Sequence, residues 1–190
     1  MIIRRLTLHN FGVYASTNTF EFSANKPIVL IGGLNGRGKT TFLEAVLIAL
    51  YGSNSFAFKE SRYNSYGQYL RSYVNRDDGS LEAYVELKIE LNNSAHDYYT
   101  IKRMWDSKNK VRSTESISVK KNDIEDEFLT KNWSMFIENI LPSALSNFFF
   151  FDGEKIAELA IDNTDSKLKE SIRAMLGISI IDSLKTDIKR

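Results

Sequence analysis

Gly33-Leu34-Asn35-Gly36-Arg37-Gly38-Lys39-Thr40 constrains this chain more than any other stretch, because it satisfies the pattern G-x-x-x-x-G-K-S/T in full. Glycines let backbone N–H groups turn inward around a phosphate at the positive end of a helix. Lys39 then supplies a point charge to the β- and γ-phosphates, and the Thr40 hydroxyl is placed to ligate Mg²⁺. The ligand expected of such a loop is ATP with Mg²⁺, held by Asn35, Gly36, Arg37, Gly38, Lys39, Thr40 and Thr41. The flanks fit that reading. Pro27-Ile28-Val29-Leu30-Ile31, ended by Gly32-Gly33, is a short apolar run that predicts a strand buried on both faces. From Thr40 to Tyr51, apolar residues surround the single charge of Glu44 and Gly52 supplies a stop, which predicts a buried helix.

At 190 residues and 43% hydrophobic, the chain is expected to build one core with at most a small lobe attached. It has no cysteine, which excludes disulfides, thiolate metal sites and cysteine nucleophiles within it. The two histidines, His9 and His96, stand alone in alternating stretches and read as surface or edge residues. No stretch approaches the roughly 18 apolar residues of a membrane span, and the first residues carry too short an apolar run for a signal peptide. The expectation is a cytoplasmic protein without a membrane partner. A net charge of +1 provides no general electrostatic attraction to nucleic acid, so any DNA contact has to come from local patches or from other segments.

Along the chain, residues 2–8 and 19–22 alternate around the break at Asn10-Phe11-Gly12 and predict a hairpin. Tyrosines and arginines between Glu60 and Val74 have rough helical spacing, and residues 75–79 form a strong turn signal. Three alternating segments, Leu81 to Leu91, Tyr98 to Trp105 and Val111 to Lys120, predict an antiparallel meander with one wet face. Asn122 to Leu141 reads as one or two helices stopped near Pro142. Phe148-Phe149-Phe150-Phe151 is a second wholly apolar run, followed by Asp152-Gly153-Glu154. From Glu154 to Arg190 the tail is helical, with Ile178, Ile181, Leu184 and Ile188 at intervals of three and four.

Asp152 admits two readings. An acid emerging from so apolar a strand suits a Mg²⁺-facing carboxylate, with Glu154 as a base for the attacking water. That reading makes a self-contained ATPase with Lys39, Asp152 and Glu154 as its catalytic set. Alternatively Asp152-Gly153 is a turn after a core strand.

Asn10-Phe11-Gly12, the loop from Gly33 to Thr41, Leu43-Glu44-Ala45-Val46 and Ala49-Leu50-Tyr51-Gly52 together resemble the N-terminal half of an SMC-like ATPase head, the group that includes SbcC and RecF. Within it, Tyr69-Leu70-Arg71-Ser72 and Phe148 to Ile156 resemble the DndD-like ATPases of the bacterial DNA phosphorothioate modification system. The resemblance implies an α/β P-loop lobe over residues 1–175, with an antiparallel β subdomain within about 80–120, and the start of a coiled coil over 176–190. It implies a split head, in which a C-terminal half brings the signature motif, the Mg²⁺-binding acid and the catalytic glutamate. A second head would complete an ATP-dependent homodimer, with DNA and other phosphorothioation proteins as partners. In related heads the residue at the Asp152 position is a glutamine that meets Mg²⁺ and water, so a metal-facing role carries over with an altered charge. Arg71 resembles an arginine that couples DNA or nucleotide state to head engagement, against the plainer reading of a solvated helix arginine. Arg4 and Arg5 lie on the strand that approaches adenine and phosphates in related heads. Three alternatives remain: the self-contained ATPase, a DNA-repair head of the SbcC or RecF kind, and a non-hydrolysing nucleotide-gated scaffold.

Overall fold

The computed structural model describes residues 1–23, 28–34, 36–77, 79–91, 96–108 and 115–150. Their organising element is an antiparallel sheet of six strands in the order β2-β1-β3-β4-β5-β6. Strands β1 (Ile2–Phe11) and β2 (Tyr14–Glu21) form the expected hairpin. Strands β3 (Glu82–Glu90), β4 (Tyr98–Asp106) and β5 (Ser116–Lys121) form the expected meander. β1 also pairs with β3, from Ile2 opposite Glu90 to His9 opposite Tyr84, so hairpin and meander share one ladder. The short β6 (Ile124–Glu125) follows a tight turn in which Asn122 and Asp123 both take positive φ, 51° and 65°, a conformation these two residue types tolerate.

Alternation decides the faces. Ala83, Val85, Leu87 and Ile89 of β3 lie on the same side as Leu6 and Leu8 of β1 and Ile101 and Trp105 of β4, and all are buried. The opposite face is polar and charge-paired: Arg5 lies 3.3 Å from Glu86, and Lys88 lies 3.0 Å from Asp123.

Helix α1 (Lys39–Tyr51) packs against β3 and β4. Ala45 to Tyr51 are all buried, as expected of a helix apolar on every side, while its first turn stays open to solvent. Gly52 ends it with φ 55°, donating its N–H to the Ile48 carbonyl. The last carbonyls of a helix have no partner within it. Here Arg103 Nε donates to the Ala49 carbonyl (3.2 Å), and Trp133 Nε1 donates to the Leu50 carbonyl (2.9 Å). Replacing Trp133 by Phe keeps most of the apolar contact and removes that donor. The expected loss is about 1–2 kcal/mol of unfolding free energy, read as a lower urea midpoint at unchanged slope.

Two short helices, α2 (Phe56–Lys59) and α3 (Tyr66–Ser72), start at serines whose hydroxyls accept backbone N–H groups. The turn signal at 75–79 is confirmed by Gly79 (φ 75°) and by Asp77 N–H donating to Asn75 Oδ1. Helix α4 (Glu127–Ile140) buries Leu129, Trp133 and Ile137, one stripe at four-residue spacing, and Pro142 follows it.

The chain divides into two compact units, residues 1–137 and 138–190. In the second, the described part holds the end of α4, a 3₁₀ turn (Ser143–Leu145) and the short helix α5 (Ser146–Phe149).

Two expected strands are not formed. Residues 28–31 lie outside any strand, with Ile28 75% and Leu30 91% exposed. An apolar run becomes a buried strand only if neighbours supply hydrogen bonds at its edges and side chains on its faces. Among the described residues none pairs with it. The phenylalanine run is helical as far as Phe149, because its backbone bonds locally: the N–H of Phe150 reaches the Ser146 carbonyl at 2.8 Å. Phe149 is 57% exposed. Pro27, Asn35, Phe151, Asp152, Glu154, the segment 109–114 that opens the third meander strand, and the tail proposed as coiled coil lie outside the described residues.

Candidate functional site: the phosphate loop and its buttress

Glycine conformations shape the loop that opens α1. Gly36 and Gly38 take φ 76° and 93°, which residues with a Cβ rarely adopt. Between them Arg37 donates its N–H to the Leu34 carbonyl at 3.2 Å, closing a turn. Gly38 sits at the N-cap of α1, and its carbonyl accepts the Phe42 N–H at 2.8 Å. The following residues, Lys39, Thr40 and Thr41, occupy the first turn, where helix N–H groups lack internal partners and favour an anion. Lys39 Nζ donates to the carbonyls of Gly33 (2.8 Å) and Leu34 (3.1 Å), so the lysine arches back over its own loop. Thr40 is exposed at the helix start.

The fold also brings the turn of the β1–β2 hairpin to this loop, which nothing local in the sequence announces. A Cβ built on Gly38 would stand 2.6 Å from Val13 Cγ2 and 3.0 Å from the Tyr14 ring. One on Gly12 (φ 59°) would stand 2.5 Å from the Thr41 methyl. A side chain of the facing segment, packed directly against each glycine's backbone, together with the positive φ, therefore explains both glycines. The Tyr14 hydroxyl donates to the Gly38 carbonyl at 3.0 Å. Phe42, in the first turns of α1, meets Phe20 and Phe22 of the hairpin edge-on.

The hairpin turn is itself fixed from behind. Gly12 N–H donates to the Tyr73 carbonyl (2.6 Å), Asn75 N–H to the Asn10 carbonyl (2.7 Å), and Asn75 Nδ2 to the Gly12 carbonyl (2.8 Å). Tyr73 also hydrogen-bonds Glu44 of α1, and burial pushes its phenol above the ordinary range.

The other expected site residues lie on separate elements. Arg4, where β1 shifts register, is bonded to Glu90 through Nε (2.6 Å) and a second guanidinium nitrogen. That contact holds the Glu90 carboxyl below its usual range. Arg5 is drawn to Glu86 and Glu21. Arg71 occupies the last turn of α3. His9 bonds Thr17 and His96 bonds Glu90, the ordinary roles expected of them. No group of three or more His, Asp or Glu able to hold a metal occurs among the described residues.

A family model described as "AAA domain" (AAA_23) matches residues 5–189. The chain belongs to the AAA domain family. With that membership, its fold class is the N-terminal lobe of an α/β P-loop ATPase. Among curated relatives, the SbcC component of the SbcCD nuclease from Treponema pallidum (strain Nichols) is 52% identical over 48 residues, 25% of this chain and 5% of that protein. Structural maintenance of chromosomes protein 6 from Takifugu rubripes is 30% identical over 98 residues, 52% of this chain and 8% of that protein. The AAA domain chain thus spans well under a tenth of the length of these relatives. Among solved structures it is similar to the SMC head domain from Thermotoga maritima, with a TM-score of 0.43, 18% identity and coverage of 67% of this chain and 39% of that one.

Proposed function

We propose that this chain is the N-terminal, nucleotide-binding half of an SMC-like ATPase head that serves DNA phosphorothioate modification. One observation carries the nucleotide-binding reading: Gly36 and Gly38, both at positive φ, lead into the 13-residue helix α1, and Lys39 and Thr40 stand in its first turn. The residues fit ATP with Mg²⁺. Backbone N–H groups of the loop would hold the phosphates, Lys39 would bring charge to the β- and γ-phosphates, and Thr40 would offer its hydroxyl to the metal. The metal would neutralise charge on the phosphates during transfer to water. Asn35, Arg37 and Thr41 would complete the cradle, and Asp152 and Glu154 would approach the metal and the water. Arg4 and Arg71 would serve nucleotide contact and its coupling to engagement.

That this is half of a head is supported by the exposed apolar run at 28–31, which adjoins the loop and finds no strand partner among the described residues. A C-terminal half of the same head would supply that partner along with the catalytic glutamate. Engagement with a second head would make ATP state control dimerisation and access to DNA. In this reading 1–175 is the lobe, including its antiparallel sheet, 176–190 begins the coiled coil, and the protein acts in the cytoplasm beside other phosphorothioation proteins. No helix among the described residues is long and apolar enough to cross a membrane. A DNA-repair head of the SbcC kind is the second reading, favoured by the 52% identity over 48 residues.

The purified chain is expected to bind ATP without turning it over, and to gain turnover when the C-terminal half is added. Hydrolysis by the chain alone that disappears in Glu154→Gln would sink the half-head reading. Loss of phosphorothioate in cellular DNA on deletion of the gene separates the two biological roles.

A further inference from the structure

We infer that Tyr14 is a positioning residue of the phosphate loop, whose hydroxyl fixes the Gly38–Lys39 peptide so that the Lys39 N–H faces the phosphates. The inference rests on the nucleotide-binding reading above.

Tyr14 opens β2, and its hydroxyl lies 3.0 Å from the Gly38 carbonyl oxygen. That oxygen also accepts the Phe42 N–H at 2.8 Å, and a carbonyl has lone pairs for both. In a planar trans peptide the carbonyl and the next N–H point in opposite directions. Holding the Gly38 oxygen toward the body of α1 therefore aims the Lys39 N–H off the helix N-terminus, the side on which a phosphate is bound. Such a restraint matters at this residue. Gly38, at φ 93°, has the backbone freedom to rotate that peptide away, and no side chain of its own prevents it.

The tyrosine is well placed to act as a fixed point. Its ring and Val13 fill the space a Cβ on Gly38 would take. The ring meets Phe20 edge-on at 5.8 Å, and Phe20 in turn meets Phe42 of α1 at 5.1 Å. Behind it, the hairpin turn is tied to residues 73–75 by backbone hydrogen bonds. A phenol is protonated at neutral pH and can donate, and partial burial shifts the Tyr14 pKa further upward.

The test titrates ATP with Mg²⁺, and ADP, into the full-length protein as wild type, Tyr14→Phe, Lys39→Ala and Trp133→Phe. Tyr14→Phe keeps the ring and its packing and removes only the hydroxyl. It is expected to weaken ATP and ADP alike by about 3- to 10-fold, the equivalent of one hydrogen bond. Trp133→Phe loses a comparable hydrogen bond at the far end of the same helix, and is expected to keep ATP affinity within about twofold of wild type. Tyr14→Phe binding as wild type while Lys39→Ala is weakened overturns the role of Tyr14 and leaves nucleotide binding intact. Equal weakening in Tyr14→Phe and Trp133→Phe also overturns it, since the effect would then follow general stability. Lys39→Ala binding as wild type removes the underlying reading, and this inference with it.

Discussion

Replacing Arg103 with methionine is expected to lower the unfolding free energy by about 2–3 kcal/mol, below the range for breaking a fully buried ion pair because the partner Glu115 keeps 21% of its side chain exposed. Arg103 is 5% exposed on the inner face of β4. Its guanidinium lies 2.9 Å from Glu115 Oε1 and 3.2 Å from the Ala49 carbonyl. It also fills the space beside Gly52, where a Cβ would stand 2.6 Å from Arg103 Nη1. Methionine can occupy much of the same volume but leaves the Glu115 charge and one helix-terminal carbonyl without that donor. Tyr66 donates to the same Glu115 oxygen at 3.0 Å and cannot neutralise it. The measurement is a urea titration of wild type and variant. Because the penalty comes from the stranded charge, the double variant Arg103→Met with Glu115→Leu is expected to recover a large part of the loss. A fall of less than about 1 kcal/mol in the single variant would show that the pair contributes little.

The second large effect is on binding. Lys39→Ala is expected to weaken ATP by about 10- to 100-fold, the range for losing a hydrogen-bonded charge on a phosphate. Lys39 reaches the Gly33 and Leu34 carbonyls across the loop, so its ammonium already hangs over the cradle. Moving from those carbonyls to phosphate oxygens exchanges neutral acceptors for anionic ones, which form stronger hydrogen bonds. Stability of the nucleotide-free protein should change little, since Lys39 is exposed.

Which features were legible in the sequence follows from which depend on local periodicity. The hairpin, the meander and α1 reveal themselves through alternation or continuous apolar character, and the structure forms all of them. The run at 28–31 has the same apolar signature, but burial depends on partners that a pattern cannot specify, and its four residues remain outside the sheet. The phenylalanine run fails for a related reason: apolar character is shared by buried strands and helices, and at Ser146–Phe149 local hydrogen bonds decide for helix.

At the site, the loop itself was legible because its glycines, lysine and threonine are contiguous. Its buttress was not, because Gly12, Val13 and Tyr14 come from a turn more than twenty positions upstream and meet Gly38 and Thr41 only through tertiary packing. Arg103 did leave a trace. In the alternation Tyr99, Ile101, Arg103, Trp105 it is the charge at an inward position, a place where a charge needs a buried partner.

The central claim is that residues 33–40 hold the phosphates of ATP. Calorimetric titration of ATP with Mg²⁺ into wild type and Lys39→Ala tests it most directly. Saturable one-to-one binding by wild type, weakened at least about tenfold in the variant, is the predicted result; equal affinity in the two proteins, or no binding by wild type, would contradict it.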